Sequence, residues 1–176
     1  GGSGGVSAAA VTRPIVAVID TGLDLNHPVF VNTNSIWVNT GEIAGNGIDD
    51  DGNGYIDDVN GWNFVDGSGS IYDDDDHGTH VAGIAAARGS NGIGSLGIAK
   101  YASIVSFQYL NTNQTAVKKI DQASGPFDIF NYSYGLPSCT FYEKNAAFIQ
   151  QLKHGVTYGR FGKGSLYVKA AGNEYV

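Results

Sequence analysis

The chain has 176 residues, 42% of them hydrophobic and 15% charged, with a formal net charge of −7. That length and balance suit one globular domain with a buried core, and no apolar run approaches the roughly 18 residues that a membrane span requires. A single cysteine, Cys139, excludes an internal disulfide, a thiolate zinc cluster and a redox pair.

The charge is unevenly placed. Residues 14–87 hold 13 acids and no Lys or Arg, whereas the remaining segments hold all 10 basic residues against 4 acids. Uncompensated acid attracts cations and repels phosphates, so the pattern points to a metal ion and away from nucleic acid as a partner. The chain has no methionine and opens Gly-Gly-Ser-Gly-Gly. Residues 1–13 therefore read as a linker or N-terminal extension cut from something longer.

In chain order, Ile15 to Ile19 is an apolar, β-branched run that predicts a buried strand. It ends in Asp20-Thr21-Gly22, with a carboxylate where strand meets turn. About 55 residues of loop-like sequence follow, too many for a plain connection, so something must order them. His80 to Ala87 predicts a short helix of small residues, and His77 stands at its start within Asp-Asp-His-Gly-Thr-His-Val-Ala-Gly-Ile, residues 75–84. Ile104 to Leu110 predicts a strand. Gln114 to Ser124 predicts a helix stopped by Gly125-Pro126. Asp128 to Tyr132 predicts a third strand, Glu143 to His154 a helix ended by Gly155, and Leu166 to Ala171 a fourth strand. This alternation predicts an α/β fold, a parallel β-sheet with helices on both faces, whose functional residues gather where strands end.

The long loop carries its own signal. With Asp49 as position one, Asp51 and Asn53 fall at three and five, Gly54 at six, the Tyr55 carbonyl at seven and Asp57 at nine. That spacing wraps oxygen ligands around Ca2+, with glycine at the sharp turn. Position twelve is Asn60 and not the usual Glu, which makes Asp58 a candidate for the closing carboxylate. The plain alternative is a solvated Asp/Asn/Gly turn. The further run Asp73 to Asp76 reads as a solvated loop, with contact to a second ion as the alternative.

Asp20 and His77 are two members of an acid, base and nucleophile set: a carboxylate can orient an imidazole, and the imidazole can take a proton from a hydroxyl. Zinc held by His77 and His80 at i, i+3 is the rival chemistry.

Val18-Ile19-Asp20-Thr21-Gly22-Leu23-Asp24, then His27-Pro28, His77-Gly78-Thr79-His80-Val81-Ala82-Gly83, Asn131-Tyr132-Ser133-Tyr134-Gly135 and Ala170-Ala171-Gly172-Asn173-Glu174 occur in that order. Together they resemble the subtilase superfamily of subtilisin-like serine endopeptidases. The resemblance implies a subtilisin-like fold, a peptide or protein substrate and a secreted protein stabilised by calcium. It implies Asp20 as the triad aspartate, His77 as the general base and Asn173 as the side-chain donor of the oxyanion hole. Ser133, Tyr134 and Gly135 then match the strand that pairs with substrate backbone. Ala170, Ala171 and Gly172 match one wall of the pocket for the residue before the scissile bond.

One expected part is absent from the 176 residues. The family's Gly-Thr-Ser-x-Ala motif occurs nowhere, and Gly1-Gly2-Ser3-Gly4-Gly5 fits a Gly-x-Ser-x-Gly pattern only literally, without a strand-turn-helix around it. The expectation is therefore the N-terminal portion of a peptidase domain, residues 14–176, with a calcium-binding insertion at about 40–65 and a sheet incomplete at its C-terminus. The missing C-terminal part would supply the nucleophile, and this portion alone would be inactive. A catalytically dead module binding peptide or calcium, or one half of a split protease, is the alternative.

Overall fold

Alternate residues of a strand face opposite sides of its sheet, so the uninterrupted apolar run from Ile15 needs cover on both faces. A computed structural model describes residues 13–89, 92, 94–109, 125–134 and 146–173, and supplies that cover. Strands β1 (Ile15–Asp20), β2 (Gly61–Asn63), β3 (Ser103–Gln108), β4 (Ile129–Tyr132) and β5 (Leu166–Lys169) form one sheet in the order β2-β3-β1-β4-β5. Every pairing is parallel. Helix α1 (His77–Ala86) lies in sequence between β2 and β3, and α2 (Ala146–Gly162) between β4 and β5. The predicted α/β class, with a parallel sheet and helices, is what the chain forms.

β1 shows how sequence makes the two layers. Val16 and Val18 pack with Leu23, Phe30, Ile104 and the α1 residues Ala82 and Ala86. Ala17 and Ile19 pack into an aromatic layer with Phe64, Phe107, Phe127, Phe130 and Tyr132, against which Phe148 of α2 rests. Small side chains let α1 approach closely, whereas large rings fill the other side. Phe107 and Phe130 are each 1% exposed, and burying such a side chain contributes roughly 1.5–3 kcal/mol.

Several boundaries differ from the sequence reading, each for a local reason. α1 begins at His77, three residues before the predicted start, because groups outside the helix satisfy its first N–H groups, as described below. β2 was not predicted. Its three residues carry no alternation, and Gly61 reads as a turn; in the fold its φ is +122° and a Cβ there would overlap the Ser106 carbonyl, so glycine permits the pairing. Gly155 does not end α2. A Cβ at Gly155 would collide with the Tyr167 hydroxyl, so this glycine serves close approach to β5, and non-helical dihedrals first occur at Gly159. Asp128 lies just outside β4, where its carboxylate accepts the Ile15 N–H at 2.7 Å and pairs with Arg160 Nε at 2.7 Å. β5 ends at Lys169 and not at Ala171, since its partner β4 ends at Tyr132 and Ala170 donates the last ladder bond to the Tyr132 carbonyl at 2.9 Å. The predicted helix over 114–124, residues 143–145 and Cys139 lie outside the described residues. Among the described residues no helix is long and apolar enough to cross a membrane.

Candidate active site

The sheet register brings the predicted residues to one edge. Ile19 pairs with Tyr132 and Tyr132 with Lys169. The next residues, Asp20, Ser133 and Ala170, therefore stand level at the carboxyl end of three adjacent strands, with about 4.8 Å between neighbours. Ala171, Gly172 and Asn173 continue from there and are exposed. Tyr134 follows Ser133, and its carbonyl accepts a hydrogen bond from Lys169 Nζ. Gly135 lies outside the described residues.

Asp20 is fully buried, and its Oδ1 lies 2.6 Å from His77 Nδ1 and accepts the Thr21 N–H at 2.8 Å. Its other oxygen, Oδ2, is buried with no hydrogen-bond partner among the described residues. The His77 side chain is half exposed. The hydrogen bond to Asp20 is the main cause that raises the His77 pKa above its ordinary 6.5; burial opposes it, and the charges of Asp20, Asp75 and Asp73 add to it. A carboxylate on Nδ1 fixes the tautomer that keeps the Nε2 lone pair free, which is the form a general base needs. Among the described residues, the cluster able to hold a metal lies elsewhere and contains no histidine.

Two glycines let this pair form. Gly22 has φ +139°, and a Cβ there would overlap the Tyr72 carbonyl oxygen. A Cβ at Gly78 would overlap the Gly22 carbonyl and approach Asp20 Cβ to 3.2 Å. The turn after β1 and the first turn of α1 thus pack backbone on backbone.

The start of α1 is capped from three directions. Its own N-cap residue, Asp76, makes no side-chain cap bond. Instead the His77 N–H donates to Asp75 Oδ1 at 3.0 Å, the Gly78 N–H to Thr21 Oγ1 at 2.9 Å, and the Thr79 N–H to Asp73 Oδ2 at 2.8 Å. Carboxylates here also suit the positive end of the helix. Asp74, Asp75 and Asp76 are exposed, as expected of a solvated loop, whereas Asp73 is half-buried and departs from that expectation. Sequence reading missed Thr21, Asp73 and Thr79, because their partners lie up to 57 residues away.

A second cluster lies in the long loop. Asp49, Asp51 and Glu42 each offer a carboxylate oxygen, and these oxygens lie within 4.8 Å of one another. Ligands 2.3–2.6 Å from one Ca2+ sit at most about 5 Å apart, so hard oxygen donors at this spacing fit that ion. Asn39 Nδ2 bridges Asp51 and Asp58 at 2.9 and 2.8 Å, and Asn53 Nδ2 also reaches both carboxylates. Burial pushes the Asp58 carboxyl up to about 6, against the hydrogen bonds from Asn39 and Asn53 and with the charges of Asp51 and Glu42 adding. The Tyr55 ring is buried and edges onto Trp62 at 4.9 Å, which anchors the loop to the core. Asp57 accepts the N–H groups of Gly45, Asn46 and Gly47, as Asp49 accepts those of Asn53 and Gly54. Glu42 precedes the loop spacing and was missed for that reason; its signal was an acid in a stretch without bases.

The profile of the subtilase family matches residues 12–175. Over 100 residues the chain is 44% identical to Subtilisin-like protease 1 of Plasmodium vivax, a stretch covering 57% of this chain and 16% of that protein. Over 164 residues it is 32% identical to Thermophilic serine proteinase of Bacillus sp. (strain AK1), covering 90% of this chain and 32% of the relative. The solved structure of the serine protease of Aeromonas sobria superimposes with a TM-score of 0.58 at 27% identity, over 91% of this chain and 25% of that one. The chain spans less than half the length of each of these proteins.

Proposed function

The chain belongs to the subtilase family, and from that membership we propose that the whole protein is a secreted serine endopeptidase whose base and orienting carboxylate are His77 and Asp20. Residues 14–176 are then the N-terminal portion of its peptidase domain. The observation that carries the reading is the 2.6 Å contact between His77 Nδ1 and a fully buried Asp20 at the carboxyl end of a parallel sheet.

In this reading the nucleophilic serine lies outside the 176 residues. His77 Nε2 takes the hydroxyl proton as the serine attacks the scissile carbonyl, Asp20 stabilises the imidazolium that forms, and His77 then returns the proton to the leaving amine. Asn173 donates to the oxyanion of the tetrahedral intermediate. Ser133 to Gly135 offer a backbone edge to an extended peptide, and Ala170 to Gly172 flank the residue before the cut. The level placement of Asp20, Ser133 and Ala170 supports this division of roles. The test is covalent labelling of the whole protein by a fluorophosphonate probe, with abolition by His77→Ala. Absence of labelling in folded wild-type protein assigns the inactive alternative instead.

The reading includes a structural Ca2+ held by Glu42, Asp49 and Asp51, with Asp58 and Asn53 beside them. When bound, the ion neutralises carboxylates that the loop otherwise holds together without a base. An ion present at 100 times its dissociation constant stabilises the folded state by about 2.7 kcal/mol. Excess chelator, or Asp51→Ala, is thus expected to lower the melting temperature of the whole protein by several degrees. A curve unmoved by both rejects the site.

A further inference from the structure

Asp73 takes no part in the family reading above, yet it is the junction between the two halves of the acid–base pair. Its Oδ1 accepts the Thr21 hydroxyl at 2.7 Å, and Thr21 is the residue after Asp20. Its Oδ2 accepts both the N–H and the hydroxyl of Thr79 at 2.8 and 2.6 Å, and Thr79 lies two residues after His77. Each hydroxyl is itself an acceptor: Thr21 Oγ1 takes the Gly78 N–H, and Thr79 Oγ1 takes the Asp24 N–H at 2.9 Å. Thr21 and Thr79 are 9% and 7% exposed, so the hydroxyl ends of these bonds are shielded from water, and Asp73 itself is half-buried. One carboxylate thus closes a network of hydrogen bonds that joins the turn after β1 to the first turn of α1 beside the Asp20–His77 contact.

We propose that Asp73 is a positioning residue of the acid–base pair, clamping the His77 turn against Asp20 through Thr21 and Thr79. The inference rests on the peptidase reading for its kinetic consequence but not for its geometry. Placement matters because a misfit of about 1 Å in a catalytic group costs as much as 100-fold in rate. The carboxylate also acts at longer range. The charges facing the imidazole are Asp20 from β1 and Asp75 and Asp73 from the segment before α1. β3, the other strand packed on α1, carries no charged residue. Burial pushes the Asp73 carboxyl up, but the hydrogen bonds from Thr79 and Thr21 outweigh it and hold the group below its usual range. Asp73 is therefore an anion wherever His77 titrates.

The test uses the whole protein carrying Asp73→Asn and Asp73→Ala, with Asp74→Asn as a control for an exposed acid of the same run. Both Asp73 variants are expected to lose roughly 10- to 100-fold in kcat per fluorophosphonate-titrated site, with KM little changed. The acid limb of kcat/KM should move to lower pH, because removing an anion and loosening the Asp20 contact both weaken proton binding at His77. Asp74→Asn should leave kcat unchanged. If the alanine variant fails to fold, the asparagine variant decides. Wild-type kcat and an unshifted limb in folded Asp73→Asn overturn the proposal, as does a loss that disappears when activity is expressed per titrated site. The His77 ring titration, followed by NMR, separates this failure from that of the peptidase reading. A lowered His77 pKa in Thr21→Val, which breaks the link to Asp73 and keeps its charge, upholds the clamp even in a protein that cleaves nothing, and an unchanged one rejects it.

Discussion

Asp20→Asn in the whole protein is expected to lower kcat by roughly 10⁴-fold while the fold is retained. The reason is the direction of one hydrogen bond. Asp20 Oδ1 faces His77 Nδ1 at 2.6 Å and can only accept, so the proton must lie on Nδ1 and the lone pair on Nε2. An amide of the same shape can present its NH2 group there, and the imidazole then carries its proton on Nε2, where it cannot take one from a hydroxyl. Hydrolysis of a chromogenic peptide, compared at equal circular dichroism, measures the loss. A decrease of less than ten-fold sinks the assignment of Asp20 as the orienting carboxylate.

The second large effect is on stability. Gly22→Ala is expected to cost roughly 3 kcal/mol or more, because two penalties coincide. At φ +139° the backbone is one that L side chains rarely adopt, and the new methyl group would overlap the Tyr72 carbonyl oxygen, which also accepts the Leu23 N–H at 3.2 Å. Backbone cannot move aside as the end of a flexible side chain can. Gly45→Ala provides the comparison, since Gly45 has φ +75° but no atom within 4 Å of its Cβ direction. It isolates the dihedral cost, about 1–2 kcal/mol. Urea unfolding of the two variants gives the difference, and equal midpoints would show that the contact between turns is looser than described.

The readable parts of this chain are those whose cause is local. A strand such as Ile15–Asp20 announces itself because five consecutive apolar residues have one economical solution. The Asp20 and His77 turns were legible because their glycines and small residues stand beside the functional groups. β2 was not, since Gly61 earns its place only through the Ser106 carbonyl 45 residues away. Asp73 was misread for the same reason: in sequence it is one of four consecutive acids, and only the fold brings Thr21 to one of its oxygens and Thr79 to the other. In the acidic loop, spacing pointed to Asp49 and Asp51, but Glu42 stands seven residues before the first of them and joins them only in the fold.

The register of β4 between β1 and β5 imposes a parity rule on this sheet. Phe130 and Tyr132 face the aromatic layer while Asn131 lies between them, its Nδ2 bonding the Ser133 hydroxyl at 2.8 Å. Inserting one residue upstream within β4 would exchange these sets, placing a polar side chain among the rings and moving Ser133 out of line with Asp20 and Ala170. Inserting two would restore the faces but displace Ser133 by about 6.6 Å along the strand. Length variation is therefore confined to the loops between strands, and the three strand ends can diverge only by substitution.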